Sequence, residues 1–284
     1  MSVADAVSLA FPADMWILLA VALVLSAIGF YKYVYFLSVG YGWAIAGEGI
    51  LFLVMFRKNL TPIIVLLCIL LICYGARLSG FLVYREYKSA SYRKTLKNVS
   101  KTEKPMPFFV KCAIWISVAL LYVAQVTPVY YRLTNGKEQQ GNVAVVGAVI
   151  MVIGLILESV ADWQKSEQKK KVPGMVATKG LYAMVRCPNY FGEIIFWTGV
   201  FVSGCGAFDG FMQWGVAIFG YVCIVLIMIS GAKRLEVRQN KNYGAKAEYQ
   251  AYVERTPILI PLIPIYHLAK QKKGEVQSEE KKKA

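Results

Sequence analysis

The sequence predicts an all-α membrane protein with about seven transmembrane helices and an amphipathic C-terminal segment. Hydrophobic residues make up 57% of the 284 residues, charged residues only 17%, and the mean hydropathy is +0.48. This apolar content exceeds what a soluble domain of the same length buries. Apolar runs of about the length that crosses roughly 30 Å of hydrocarbon lie at approximately 15–36, 39–56, 62–84, 108–131, 143–160, 191–207 and 211–231.

The second of these runs differs from the others in its small and charged residues. Gly40, Gly42, Gly47 and Gly49 interrupt it, and Glu48 lies between the last two. Small residues allow two helices to approach closely in a membrane. We therefore expect this helix to pack tightly, with an acidic side chain inside the bundle.

The basic residues predict the orientation of the chain in the membrane. The formal net charge is +15, and 26 of the 32 Lys and Arg residues lie in three segments, 85–111, 165–186 and 233–284. With seven spans these segments fall on one side, which the positive-inside rule identifies as the cytoplasm. The charge is thus explained by topology, and a nucleic-acid partner is not expected.

The remaining organisation is simple. A charged, aromatic segment over 231–261 reads as an interfacial helix on the cytoplasmic face. We expect residues 1–270 to form one transmembrane domain and residues 271–284 to form a disordered basic tail. The tail ends in Lys281-Lys282-Lys283-Ala284, which is typical of endoplasmic-reticulum retrieval in a eukaryote. In a bacterium the protein would lie in the cytoplasmic membrane.

The cysteine and histidine content limits the chemistry. None of the six cysteines forms a Cys-x-x-Cys pair, and His267 is the single histidine in the sequence. The sequence therefore predicts neither a disulfide framework nor a zinc site, and it lacks the histidine pattern of a Ser-His-Asp triad.

A polar cluster precedes the sixth apolar run. Arg186 and Asn189 flank Pro188, which favours the first turn of a helix because its φ is preset and it needs no amide partner. The free amides that follow Pro188 would face the cytoplasm and favour an anion such as a phosphate. No glycine-rich loop of the Rossmann kind is present, so a nucleotide would be bound by helix ends and loops.

Two further groups of residues could support this chemistry. Glu158 and Asp162 lie four residues apart and would share one helix face, although a solvated helix end would show the same spacing. Glu48 and Tyr74 could form a proton-donating pair at membrane depth, where desolvation favours a neutral carboxylic acid. The alternative for Glu48 is a structural ion pair with Arg77.

These residues resemble the steroid 5-alpha reductase family, in particular its bacterial branch of uncharacterised membrane reductases. The similarity extends over Glu158-x-x-x-Asp162-x-Gln164-Lys165 and Lys179-Gly180-Leu181-Tyr182. It continues through Arg186-x-Pro188-Asn189-Tyr190-Phe191-Gly192-Glu193 with Trp197, and then through Glu236, Tyr249-x-x-Tyr252, Pro257 and Ile260-Pro261. Tyr74, Arg77 and Arg85 fit the family's spacing in the earlier helices.

The resemblance implies a seven-helix reductase that binds NADPH from the cytoplasm. It implies hydride transfer to the C=C bond of an α,β-unsaturated ketone, typically a Δ4-3-oxo steroid or related lipid taken from the bilayer by a monomer. The cofactor half would be 143–264, and Glu48 and Tyr74 would bind the substrate carbonyl. The implied cofactor-binding residues are Arg85, Lys88, Asp162, Lys169, Arg186, Asn189, Tyr190, Glu193, Lys233, Arg234 and Glu236.

One residue departs from the family pattern, because relatives commonly have His where this chain has Cys187. A thiol supplies no cationic donor at pH 7, so a phosphate contact made by that histidine would be lost. A first alternative is an isoprenylcysteine-type methyltransferase using S-adenosylmethionine, whose C-terminal region shares Arg-x-Pro-x-Tyr and a Tyr-x-x-Tyr tail. A second alternative is a non-catalytic sterol-binding protein with a reductase-like fold.

Overall fold

The structure, a computed structural model, describes residues 11–88, 93, 106–136 and 141–269. The predicted tail over 271–284 lies outside these residues. Within them the chain is helical and contains no strand. The helices are α1 (Met15–Ser26), α2 (Val39–Met55), α3 (Pro62–Lys88), α4 (Phe108–Asn135), α5 (Gly141–Lys171), α6 (Leu181–Met184), α7 (Pro188–Gly204), α8 (Gly210–Tyr243) and α9 (Ala247–Arg255).

Four of these helices are long and apolar enough to cross a membrane. They are α3, α4, α5 from Asn142, and α8. The helix α2 and the Met15–Phe30 segment are apolar but shorter. The all-α prediction is therefore confirmed for the described residues, whereas the number of seven spans stays a prediction.

The first apolar run does not form one continuous helix. After α1 the chain continues as two 3-10 segments, Ala27–Phe30 and Tyr33–Leu37. Phe36 packs directly on the backbone of Gly29, where a Cβ atom would lie 2.0 Å from the phenyl ring. A straight helix would carry Phe36 away from Gly29, so this aromatic contact accompanies a tightened and redirected chain.

The helices α5 and α8 extend well beyond their apolar runs. The helix α5 continues to Lys171 and α8 continues to Tyr243. These polar extensions are rich in Lys, Arg, Gln and Glu, which propagate a helix readily. They carry five of the eleven residues that the sequence assigns to a cofactor site: Asp162, Lys169, Lys233, Arg234 and Glu236.

The chain divides into two compact units. The first comprises Met1–Val152 and Phe196–Ile224, and the second comprises Ile153–Ile195 and Val225–Ala284. In the first unit α2 and α3 approach so closely that a Cβ atom on Gly75 would lie 2.1 Å from the carbonyl oxygen of Gly42. The glycines of the second apolar run therefore serve helix packing, as the sequence predicts.

Candidate cofactor and substrate sites

A turn in the second unit is fixed by two glutamine side chains of α5. Gln168 Oε1 accepts hydrogen bonds from the amides of Thr178 and Lys179, both at 2.9 Å. Gln164 Oε1 accepts from the Leu181 amide at 2.9 Å. Gly180 between them has φ +69°, and a Cβ atom there would lie 2.5 Å from Gln164 Oε1. The Lys-Gly-Leu motif is thus a turn that only glycine fits without strain.

Arg186 and Glu236 form a buried ion pair at the centre of the second unit. The side chains are 1% and 0% exposed, and Arg186 Nη2 lies 3.0 Å from Glu236 Oε1. Arg186 also donates to the carbonyl of Tyr266, and Glu236 Oε2 accepts from the amides of Leu268 and Ala269, both at 2.8 Å. The pair therefore holds the segment Tyr266–Ala269, a role that the sequence did not reveal.

The loop between α6 and α7, which contains Arg186, is joined to the C-terminal part of the unit by backbone hydrogen bonds. The Arg186 and Cys187 amides donate to the carbonyls of Pro257 and Ile258, both at 2.9 Å. The Tyr252 hydroxyl donates to the carbonyl of Tyr182 at 2.6 Å. The loop before α7 and the segment after α9 therefore come together within this unit.

Several buried polar atoms around Arg186 make no hydrogen bond to any described residue. They are Asn189 Oδ1, the Tyr182 hydroxyl, and Nε and Nη1 of Arg186. The Arg186 guanidinium also lies close enough to the Tyr249 hydroxyl to interact with it, and that hydroxyl donates to Asn240 Oδ1 at 2.6 Å. Burial raises the pKa of Tyr182, and the nearby charge of Asp162 raises it further. Such unsatisfied groups are rare in proteins and call for a ligand or water.

Three acidic side chains line the helices beside these atoms. Glu158 and Asp162 on α5 and Glu193 on α7 are 3%, 7% and 6% exposed. The helices meet at Gly192, where a Cβ atom would lie 2.7 Å from the Glu158 amide nitrogen. Burial excludes the simple solvated helix end that the spacing of Glu158 and Asp162 left open.

The predicted basic residues of the second unit are more dispersed. Lys169 Nζ donates to the Tyr243 hydroxyl at 2.9 Å and lies 4.9 Å from the centre of that ring. Lys233 and Arg234 are exposed, whereas Glu236 on the same helix is buried. The structure thus places Arg186 and Glu236 together and leaves Lys233 and Arg234 outside the buried cluster, because a helix turns about 100° per residue. Tyr190, also predicted, is half-buried against Gly231.

Arg85 and Lys88 lie in the last turn of α3 in the first unit. The Arg85 guanidinium is 5.6 Å from the centre of the Phe81 ring, and Lys88 Nζ is 5.0 Å from that of Tyr84. Both cations therefore rest on aromatic rings of their own helix, a common arrangement for basic residues near a membrane surface.

Cys187, which replaces the family's histidine, is a packing residue. Its side chain is part of an apolar cluster with Ala232, Leu235, Ile258 and Leu259. Burial raises the pKa of the thiol to about 11, an effect that the charges of Lys165 and Arg186 only partly offset. A neutral, enclosed thiol is neither a nucleophile nor an anion ligand at neutral pH.

In the first unit, the predicted pair Glu48 and Tyr74 is not joined by a hydrogen bond. The Tyr74 hydroxyl donates to the Tyr41 hydroxyl at 3.1 Å and lies 3.4 Å from Trp197 Nε1, which donates to it. Glu48 is 0% exposed, and neither of its carboxyl oxygens has a hydrogen-bond partner among the described residues, Arg77 included. Between these described residues the structure thus shows neither a Glu48–Tyr74 hydrogen bond nor a Glu48–Arg77 ion pair. The Tyr74 hydroxyl instead points toward Tyr41 and Trp197.

These aromatic residues form a closed cluster that the sequence did not predict. Tyr74 stacks on Phe196 with ring centres 4.3 Å apart, and Trp197 stands edge-on to Tyr74 at 5.5 Å. Tyr41 contacts the ring of Tyr122 at 5.1 Å. The available signal was the position of Tyr41 seven residues before Glu48, which places both on one helix face. Flat apolar walls with a few polar atoms are typical of small-molecule sites. No cluster of three potential metal ligands occurs in the described part of the chain.

The sequence matches a family model over most of its length. The model is described as a protein of unknown function (DUF1295), and the match covers residues 23–256. No solved structure matches the chain.

Two curated plant proteins match a shorter part. "Steroid 5-alpha-reductase DET2" of Gossypium hirsutum is 35% identical over 94 residues, which are 31% of this chain and 33% of that protein. "Steroid 5-alpha-reductase DET2" of Arabidopsis thaliana is 32% identical over 84 residues, 28% of this chain and 29% of that protein. The chain thus spans about a third of the length of the curated relatives it matches.

Proposed function

Since the chain belongs to the family of unknown function DUF1295, we propose that it is a membrane reductase of the steroid 5-alpha reductase type. It would use NADPH to reduce the C=C bond of an α,β-unsaturated ketone carried by a steroid or a related apolar lipid. The partial similarity to two proteins named as steroid 5-alpha-reductases supports this reaction class. The observation that carries the proposal is the set of buried, unpartnered polar atoms around Arg186 and Asn189.

The chemistry of these atoms fits a nucleotide. Arg186 offers Nε and Nη1 as donors, which suit a phosphate oxygen, and Asn189 Oδ1 and the Tyr182 hydroxyl suit ribose or amide groups. Asn189 lies in the first turn of α7, where free amides and the helix dipole favour an anion. Asp162 and Glu193 are buried nearby, and their carboxylates can accept hydrogen bonds from ribose hydroxyl groups. Bound NADPH would supply the hydride.

The groups of the first unit suit the substrate. When hydride reaches the β-carbon, the electron pair of the C=C bond moves toward the ketone oxygen, and the α-carbon then takes a proton. Donors aimed at that oxygen stabilise the charge. In the proposal Tyr74 exchanges its contact with Tyr41 for the ketone oxygen, while Trp197 continues to donate to the Tyr74 oxygen and keeps the phenol oriented. Glu48 supplies the second polar contact in this unit.

The proposal includes a topology. Seven spans with the three basic segments in the cytoplasm would place the polar extensions of α5 and α8 on the side where NADPH is available. The C-terminus would be cytoplasmic, the substrate would enter from the bilayer, and the protein would act as a monomer.

Ligand-dependent thermal stabilisation of the detergent-purified protein tests the cofactor. A ligand of the folded state stabilises it by mass action, about 2.7 kcal/mol at a concentration 100 times the Kd. We expect a rise in Tm with NADPH and none with S-adenosylmethionine. Asn189→Ala should weaken NADPH binding about tenfold, as expected for loss of one polar contact to a charged ligand.

The exposed Asn242 on α8 provides a matched control. Asn242→Ala should leave the NADPH response unchanged. Stabilisation by S-adenosylmethionine instead of NADPH would replace the reductase with the methyltransferase, and NADPH binding without oxidation by any Δ4-3-oxo steroid or acyl enone would favour a binding protein.

A further inference from the structure

Gln125 on α4 is a buried amide that neither the sequence motifs nor the proposed function uses. It is 3% exposed, and both its Oε1 and its Nε2 lack a hydrogen-bond partner among the described residues. An unpaired buried amide destabilises a protein by about 1–3 kcal/mol relative to a satisfied one. Glu48 on α2 has the same property at both carboxyl oxygens.

Two aromatic pairs bring the helices of these residues together in the first unit. The rings of Tyr41 and Tyr122 are 5.1 Å apart, and those of Phe52 and Tyr130 are 6.1 Å apart. In each pair the first residue is on α2 and the second on α4, so the two helices run parallel along this contact.

Glu48 and Gln125 both lie between these aromatic pairs. Tyr41, Glu48 and Phe52 are separated by seven and four residues, which places them on one face of α2. Gln125 follows Tyr122 by three residues and precedes Tyr130 by five. At 1.5 Å per residue, Glu48 lies ~10 Å beyond Tyr41 and Gln125 lies ~4.5 Å beyond Tyr122. The two positions are thus offset by ~6 Å along the helix axes, about one helical turn, a separation that two side chains of this length can share across a ligand, and Glu48 lies close enough to Tyr122 to interact with it electrostatically.

We propose that Gln125 and Glu48 form the polar end of the ligand site, where Gln125 Nε2 donates a hydrogen bond to the ketone oxygen of the apolar substrate. This inference rests on the proposed function and adds Gln125 as a specificity-determining residue. A site built to hydrogen-bond a ligand oxygen rejects the analogue that lacks it, because its polar atoms are then left unpaired. Gln125 would therefore select ketones over hydrocarbons of the same shape.

A thermodynamic cycle between side chain and ligand tests this contact. The ligands are a Δ4-3-oxo steroid and its 3-deoxy analogue, and binding to the detergent-purified full chain is measured by quenching of tryptophan fluorescence without NADPH. Gln125→Met, which keeps the length of the side chain, should weaken binding of the ketone about 3- to 10-fold. It should leave binding of the deoxy analogue unchanged.

Gln213 on α8 provides the matched control, because its amide oxygen is satisfied. It accepts from Asn135 Nδ2 at 2.8 Å and from the Asp209 amide at 2.7 Å. Gln213→Met should lower the Tm and leave the ketone-to-deoxy affinity ratio as in the wild type. Gln125→Met should leave the Tm unchanged or raise it, since it removes an unpaired amide.

The outcomes separate this inference from the proposed function. If Gln125→Met weakens binding of the ketone and of the deoxy analogue equally, or leaves the ketone affinity unchanged, the role of Gln125 is overturned. This holds even if the wild type reduces enones with NADPH. A wild type that responds to NADPH but binds no ketone would also overturn it. Conversely, Gln125→Met could lose ketone affinity selectively in a protein whose wild type does not bind NADPH. That result would support the Gln125 contact and refute the proposed reductase function.

Discussion

Removing the carboxylate of Glu236 should release the segment Tyr266–Ala269 and destabilise the second unit. Glu236→Leu keeps the approximate size of the side chain but removes every acceptor. Four donors depend on that carboxylate: the amides of Leu268 and Ala269, Arg186 Nη2, and Nδ1 of His267 when it carries a proton. The variant therefore leaves a fully buried guanidinium without its counter-ion.

The expected magnitude follows from the burial of the pair. Removing one partner of a buried ion pair costs about 3–5 kcal/mol. At about 2 °C per kcal/mol for a chain of this size, the Tm should fall by roughly 6–10 °C. Glu236→Gln keeps one acceptor oxygen and should fall between the wild type and Glu236→Leu. Glu254→Leu on the exposed surface of α9 is the control and should change the free energy of unfolding by less than about 0.5 kcal/mol.

Hydrogen exchange gives the local readout. Peptides covering 257–269 should exchange about 10- to 100-fold faster in Glu236→Leu, the factor that corresponds to losing a charge-assisted hydrogen bond of about 1.5–3 kcal/mol. Peptides from α3 serve as the internal reference. If the 257–269 peptides exchange as in the wild type while the Tm falls, Glu236 does not hold the segment and the reasoning is refuted.

Three further predictions concern the second unit. Cys187 should resist alkylation at pH 7–8 until the protein is denatured in SDS, since its pKa of about 11 and its burial suppress the thiolate; rapid labelling of the native protein would contradict this. Because that pKa is raised from 9.0, the neutral thiol stabilises the fold fully below pH 9, and this contribution, about 3 kcal/mol, should be lost as the pH rises through 11. The variant Cys187→Ala should lack this pH dependence of stability. Gly180→Ala should destabilise the protein by at least about 1–2 kcal/mol, because φ is +69° and Gln164 leaves no room for a Cβ atom; thermal unfolding beside Gly174→Ala, whose site is open apart from Lys246 Nζ at 3.6 Å, measures the difference.

Apolar run length predicted most helices well, because crossing a membrane leaves the backbone few alternatives to a helix. The runs over 39–56 and 62–84 correspond to α2 and α3 with ends that differ by only a few residues. The first run failed as one helix because periodicity carries no information about Phe36 packing on Gly29, which lies seven residues earlier in the sequence.

The structure brings only some of the predicted cofactor residues together, and the reason is the rotation of successive residues around a helix. The motif placed Arg186 and Glu236 in one site, and the structure pairs them at 3.0 Å. The neighbours Lys233 and Arg234 were predicted with them, but a helix exposes them when it buries Glu236. Sequence proximity to a motif therefore does not establish a contact on a helix.

The resemblance also concealed a difference between satisfied and unsatisfied polar groups. Glu236, predicted as a cofactor ligand, accepts hydrogen bonds from its own chain at both oxygens. Asn189 Oδ1 has no partner among the described residues. Binding through Glu236 would require those internal bonds to break, whereas binding through Asn189 would relieve a desolvation penalty that folding has already incurred. Of the two predicted contacts, Asn189 is thus the one expected to contribute affinity directly, while Glu236 acts by fixing Arg186 and the C-terminal segment beside it.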